Sequence, residues 1–178
     1  MAHQAQQIFC QRVKARFPER FCRKWVLDIG SLNINGDNRY LFEECVYLGI
    51  DVGRGPNVDI VSPLHQWDAP DESFDTIIST ECFEHDRHYA DTLRAAARLL
   101  KHGGLFLFTC ASGDRKEHGT QRSDTYSSPL TCAIEGWENY YKNLFAKDVC
   151  EVLDMQEVFV SHEFEETHED LYFWGVKR

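Results

Sequence analysis

The sequence predicts an α/β protein built on a mostly parallel sheet with helices on both faces, and three observations predict it. Short apolar runs recur in strand-sized pieces, most of them continuous rather than alternating, as strands covered on both faces require. A clear amphipathic helix separates two of these runs, giving the strand, helix, strand order of a right-handed crossover. The last two runs are close enough to form a hairpin, so an antiparallel element closes the sheet.

Each element follows in chain order. Ile8, Phe9, Val13 and Phe17 recur near helical spacing before Pro18, which predicts a helix over 3–17. Strands follow at "KWVLDI" (24–29), "CVYLGIDV" (45–52), "VDIV" (58–61), "FDTIIST" (74–80) and "LFLFTC" (105–110). Between the last two, "DRHYADTLRAAARLLKHGG" places Tyr89, Leu93, Ala96, Ala97 and Leu100 on one face, with Asp86 to cap its start and Gly103-Gly104 to end it. The stretch 111–131 is polar and aperiodic, and loops of that length in compact domains are commonly functional. "GWENYYKNLFAKDVCEVLD" is helical in character, and "EVFVSHEF" and "LYFWGVK", joined by "EETHED", form a hairpin over 156–177.

Length and charge bound the function. At 178 residues the chain is about one domain, read as a single unit over 1–178 with its core at 24–112 and a substrate-side loop at 111–131. Hydrophobic residues make up 43% and charged residues 27%, which is a globular balance. The net charge of -10, with no run of lysine and arginine, argues against nucleic acid or an anionic membrane as partner, because both need clustered positive charge. No stretch of about 18 apolar residues and no secretory leader is recognisable, so the expected location is cytoplasmic. Seven cysteines are scattered without a C-x-x-C pair, the pattern of reduced, packed thiols. Histidines and cysteines show no ligand spacing, so no metal is expected.

In an open parallel sheet, ligands bind beyond the carboxyl ends of the strands, where strand order reverses. After the first strand, "VLDIGSLNING" passes from Asp28 into Gly30, Ser31, Asn33, Asn35 and Gly36, residues that turn the chain sharply and let a ligand reach the backbone. After the second stands Asp51, about 20 positions beyond Gly30, where an acidic side chain suits the two ribose hydroxyls of an adenosine. A nicotinamide-dependent dehydrogenase shares such an acidic residue, but it wants G-x-G-x-x-G, and "GSLNIN" does not supply it.

With "DESFDTIISTECFEH" and "AARLLKHGGLFLFT", these segments resemble successive motifs of the class I S-adenosylmethionine-dependent methyltransferases, in the small type 11 group, over about residues 24–112. The resemblance implies a Rossmann-like, seven-stranded sheet of order 3-2-1-4-5-7-6, with the seventh strand antiparallel and helices on both faces. It implies S-adenosyl-L-methionine as cofactor, with Asp28 and the backbone around Gly30 by its methionine part. Asp51 would take the ribose hydroxyls and Val52 the adenine, which the 63–67 segment with Leu64, His65 and Gln66 would border. Thr80 and Glu81 would stand beside the methionine and the substrate mouth. Two departures mark this chain: Leu32 stands where a second glycine is common, and Pro63 stands where an aspartate often meets adenine. Ser31, Asn33 and Asn35 can supply side-chain hydrogen bonds in place of backbone, with Asn35-Gly36 closing the turn.

Methyl transfer from a sulfonium requires mainly positioning, and an oxygen acceptor must also lose a proton. His85 in "ECFEHD" follows the fourth strand, where the methyl should point, and is the expected base. Glu81 is expected as a cofactor or structural ligand, Glu84 as a neighbour that orients, and Arg115, His118 and Tyr126 as solvated loop residues. The expected acceptor is a small molecule or glycan, most simply a sugar hydroxyl, and a homodimer could complete the cover of so small a domain. The altered glycine loop favours a second class of reading, a partner subunit that binds S-adenosylmethionine without turnover.

Overall fold

The structure, a computed structural model, describes residues 4–178. Its strands are β1 (Trp25–Ile29), β2 (Val46–Asp51), β3 (Ile60–Val61), β4 (Phe74–Thr80), β5 (Leu100–Ala111), β6 (Phe159–Glu166) and β7 (Asp170–Lys177). They form one seven-stranded sheet in the order β3-β2-β1-β4-β5-β7-β6, the Rossmann-like order expected. Neighbours from β3 to β5 pair in parallel, and β7 runs antiparallel to β5 and to β6.

Alternation along each buried strand feeds two cores. Leu27, Ile77, Phe106, Phe108 and Phe173 enter one face, while Val26, Ile78, Leu105, Leu107 and Trp174 enter the other. The helix α1 (Gln4–Arg16) covers the second face with Phe9, Cys10 and Val13. The helices α2 (Tyr89–Leu99) and α3 (Ala146–Val152) cover the first with Leu93, Ala96, Leu99 and Val149, and a single-turn helix α4 (Met155–Val158) adds Met155. No helix among the described residues is long and apolar enough to cross a membrane.

Several elements differ from the sequence expectation, each for a local reason. In α1 the inward face is Gln6, Phe9, Cys10 and Val13, while Ile8 is 48% exposed; residue 3 of the expected helix lies outside the described residues, and Phe17 lies beyond the helix end. Asp86 does not cap α2, since His88 occupies that position. Its carboxylate instead accepts the His88 backbone N–H at 2.7 Å and the Thr92 hydroxyl at 2.5 Å, clamping the first turn from outside. Gly103-Gly104 do not end the helix: Leu100 already pairs with Phe74 in the sheet, and Gly103 turns within β5 at a φ of 69°. The 136–145 half of the expected late helix is irregular, because the backbone N–H groups of Lys142 and Leu144 donate across the fold to the carbonyls of Glu84 and Ala111, each at 2.9 Å. The tail strand begins at Phe159 rather than 157, since the Asp154 carboxylate accepts the Gln156 and Glu157 N–H groups at 3.0 and 3.1 Å and holds that turn helical. Finally, the link from β1 to β2 carries only a 3-10 turn, Arg39–Leu41, and that from β3 to β4 only another, Leu64–Gln66, so this end of the sheet lacks crossover α-helices.

Candidate active site

Beyond the carboxyl ends of β1, β2 and β4 lies an open cleft. It is lined by Asp28 near the end of β1 with Gly30 and Ser31 after it, Asp51 at the end of β2 with Val52 after it, and Thr80 at the end of β4 with Glu81 and His85 after it. Asn35, Gly36 and Leu64 also line it, so the structure brings most of the sequence-selected residues to one place. Asn33, His65 and Gln66 do not line it. The Asn33 side chain instead shapes the loop, accepting the Gly36 N–H at 2.8 Å and donating to Asp37 at 3.1 Å, while the His65 ring packs, tilted, against His88 with centroids 4.7 Å apart.

Backbone conformation makes the floor possible. Gly30 has a φ of 74°, and a Cβ there would collide with the side chain of Cys82. Asp51 holds the loop after β1 from the next strand: its carboxylate accepts the Leu32 N–H at 3.0 Å and the Val52 N–H at 2.7 Å. Each carboxylate oxygen keeps a further lone pair, so both can accept from a ligand as well. The Ser31 hydroxyl is buried with no hydrogen-bond partner among the described residues, a donor and acceptor that a ligand in this cleft would satisfy.

Two carboxylates set the electrostatics near β1. Asp28 is buried and accepts the Tyr47 hydroxyl at 2.6 Å. Burial, with some help from the nearby Asp51 charge, pushes its carboxyl up to about 7, against the lowering by Tyr47. Burial likewise raises Asp51, opposed by its two backbone N–H bonds.

The segment after β4 carries the chemistry of the far end. Glu81 has a φ of 55°, a left-handed conformation that a glutamate adopts only when its surroundings hold it there. Its carboxylate accepts the Thr109 hydroxyl at 2.8 Å and pairs with Arg115 at 2.9 Å, and Arg115 also pairs with Asp170. Glu84 is fully buried, which raises its carboxyl, with the Glu81 charge adding to the effect. His85 is 4% exposed, and burial first, then the neighbouring His118, holds its imidazole down to about 3. The rings of His85 and His118 meet edge to face at 5.0 Å, and Tyr141 packs on both at 5.6 and 5.0 Å.

Arg115 and His118 are therefore not the solvated loop residues the sequence suggested; only Tyr126, 64% exposed, fits that description. Sequence reasoning missed Asn38, Ser62 and Asp86, which line the cleft together with Trp137 and with Ser127 to Thr131 of the expected substrate-side loop. The polarity of the 111–131 loop was the available signal. Its end reaches over β2, where a Cβ on Gly53 would stand 2.7 Å from Leu130 Cδ2.

Comparisons with known proteins agree with this fold. A family model described as a methyltransferase domain matches residues 1–142. No curated protein sequence matches the chain. Among solved structures, the 1,6-didemethyltoxoflavin-N1-methyltransferase of Burkholderia thailandensis, crystallised with 1,6-didemethyltoxoflavin and S-adenosylhomocysteine, superposes with a TM-score of 0.65 at 16% identity, over 97% of this chain and 78% of that one. A phosphoethanolamine N-methyltransferase of Haemonchus contortus gives 0.63 at 16% identity over 93% of this chain, which spans only 52% of that enzyme. An S-adenosylmethionine-dependent methyltransferase of Aquifex aeolicus gives 0.61 at 15% identity, over 95% and 89% of the two chains. At these identities the superpositions speak for the fold, and the family match carries the assignment: the chain belongs to the methyltransferase domain family, the S-adenosylmethionine-dependent class I enzymes.

Proposed function

We propose that this enzyme methylates a hydroxyl of a small, polyhydroxylated acceptor, a sugar or sugar-like molecule. The observation that carries the reading is the roof of the cleft. Trp137 lines it together with the hydroxyl residues Ser127, Ser128 and Thr131, a combination of an aromatic face and neutral hydrogen-bonding groups suited to a sugar ring. The similar Burkholderia and Haemonchus proteins are named for small-molecule nitrogen acceptors, which supports a small acceptor and leaves the acceptor atom to experiment.

S-adenosylmethionine, when bound, supplies a methyl already activated by its sulfonium. The chain's part is to bind, orient and exclude water. Asp51 would hold the ribose hydroxyls through its remaining lone pairs, Asp28 the ammonium, and Val52 and Leu64 the adenine. The ring nitrogens of His85 have no partner among the described residues, so in this reading one accepts a hydrogen bond from the acceptor hydroxyl, holds its oxygen toward the methyl and takes up its proton as the methyl transfers. A screen of sugars, phenols and amines, followed by release of S-adenosylhomocysteine, tests this. Turnover with sugars is the expected result, and turnover confined to amines would overturn the oxygen assignment.

A further inference from the structure

We propose that Glu84, His85 and His118 form a binding site for one divalent transition-metal ion. A carboxylate oxygen and one nitrogen from each imidazole lie within 4.8 Å of one another, so a small inward adjustment brings all three to one ion. Both Glu84 oxygens, both His85 nitrogens and His118 Nε2 are buried and lack a hydrogen-bond partner among the described residues. Orphaned polar atoms are rare inside folded proteins, and one shared ion would satisfy three side chains together.

The tautomer of His118 fits the same reading. Its Nδ1–H donates to the Lys116 carbonyl at 3.1 Å, which leaves the Nε2 lone pair free, the way metal-binding imidazoles are held in orientation. The ligands are also held in place by their frame. The Glu84 carbonyl accepts the Lys142 N–H at 2.9 Å, and Gly119, with a φ of 63°, brings the loop so close that a Cβ there would stand 2.6 Å from His85 Cε1. Arg115 pairs with Glu81 and Asp170, and no ion pair of the described residues engages the Glu84 carboxylate. Two imidazoles and one carboxylate select Zn²⁺, Mn²⁺, Fe²⁺ or Co²⁺ over Mg²⁺ and Ca²⁺, which prefer all-oxygen sets. Ligation through one His85 nitrogen leaves the other as an N–H, so the metal-bound chain would donate to an acceptor oxygen there, where the metal-free imidazole can accept.

The sequence hid this site because His118 reaches His85 only through the course of the 111–131 loop, with no spacing to mark it. The test is titration of the chelator-treated full chain with Co²⁺, followed by visible absorption and metal analysis. One Co²⁺ per chain is expected, with nitrogen and oxygen ligation and no thiolate charge-transfer bands. His118→Ala and Glu84→Gln should weaken binding at least about 100-fold and abolish the Co²⁺-induced rise in melting temperature, with circular dichroism reporting their folding. Where a variant fails to fold, paramagnetically shifted imidazole signals in the wild type decide: two shifted rings support the site and none overturns it. Absence of stoichiometric Co²⁺, thiolate bands, or unchanged binding in both folded variants also overturns it. The titration uses no S-adenosylmethionine, so its outcome is independent of the proposed methyl transfer.

Discussion

In the proposed site Asp51 and Asp28 would bind through the same chemistry, a carboxylate, in two different settings: Asp28 is buried and Asp51 half-buried. Asp51 is already committed to two backbone N–H groups and offers its spare lone pairs, so Asp51→Ala should cost the equivalent of one charge-assisted hydrogen bond, about 1.5–3 kcal/mol, and raise the S-adenosylmethionine Kd by roughly 10- to 100-fold in calorimetry. Asp28 is held up to about 7, chiefly by burial, among Tyr47, Asp51, Asp37 and Arg39. Because a bound ammonium favours the ionised carboxylate, cofactor affinity should increase as pH rises through about 7, and Asp28→Asn should flatten that profile. The stability sign is opposite in the unliganded protein. A carboxyl raised on folding contributes stability that is full below its unfolded value and lost as pH rises through about 7, so the melting temperature should fall over that window. His85→Ala should lower kcat/KM for the acceptor by roughly 100-fold or more, through loss of the group that holds the hydroxyl. Asp28, Gly30 and Asp51 were legible because each sits at a strand end that its own apolar run announces. The partnership of His85 with His118 was not, since it exists only after the chain has folded.

At the scale of elements, α2 shows how much periodicity can tell and where it stops. Its apolar face was readable, and Leu93→Ala, which empties a fully buried position, should cost roughly 2–5 kcal/mol in denaturant unfolding. Its ends were not readable, because tertiary pairing of Leu100 with Phe74 outcompetes the two glycines as a stop signal. The irregular 136–145 stretch teaches the same point from the other side. Its residues have helical spacing, yet Lys142 and Leu144 find better partners in Glu84 and Ala111, and the chain is drawn across the mouth of the cleft with Trp137 facing inward. Trp137→Ala should therefore raise the acceptor KM, by about 10-fold if stacking contributes about 1 kcal/mol or slightly more, as steady-state kinetics would show.

Over the whole molecule, one sheet separates two cores and concentrates its functional groups at one edge, beyond the carboxyl ends of β1, β2 and β4. Continuous apolar runs, a crossover helix and a terminal hairpin made a mostly parallel sheet with an antiparallel close legible, and the family resemblance of the strand-end motifs implied the strand order. The thin end around β2 and β3 was not, since the linking segments spend their residues on 3-10 turns and on loop bonds from Asn33, Asp37 and Asp51. The central claim is that this edge is built for an adenosine bearing a methionine, and calorimetric titration with S-adenosylmethionine, S-adenosylhomocysteine and NAD tests it most directly. One site of micromolar affinity for the first two and none for NAD is the predicted result. Failure of both to bind, or preferential binding of NAD, would contradict it.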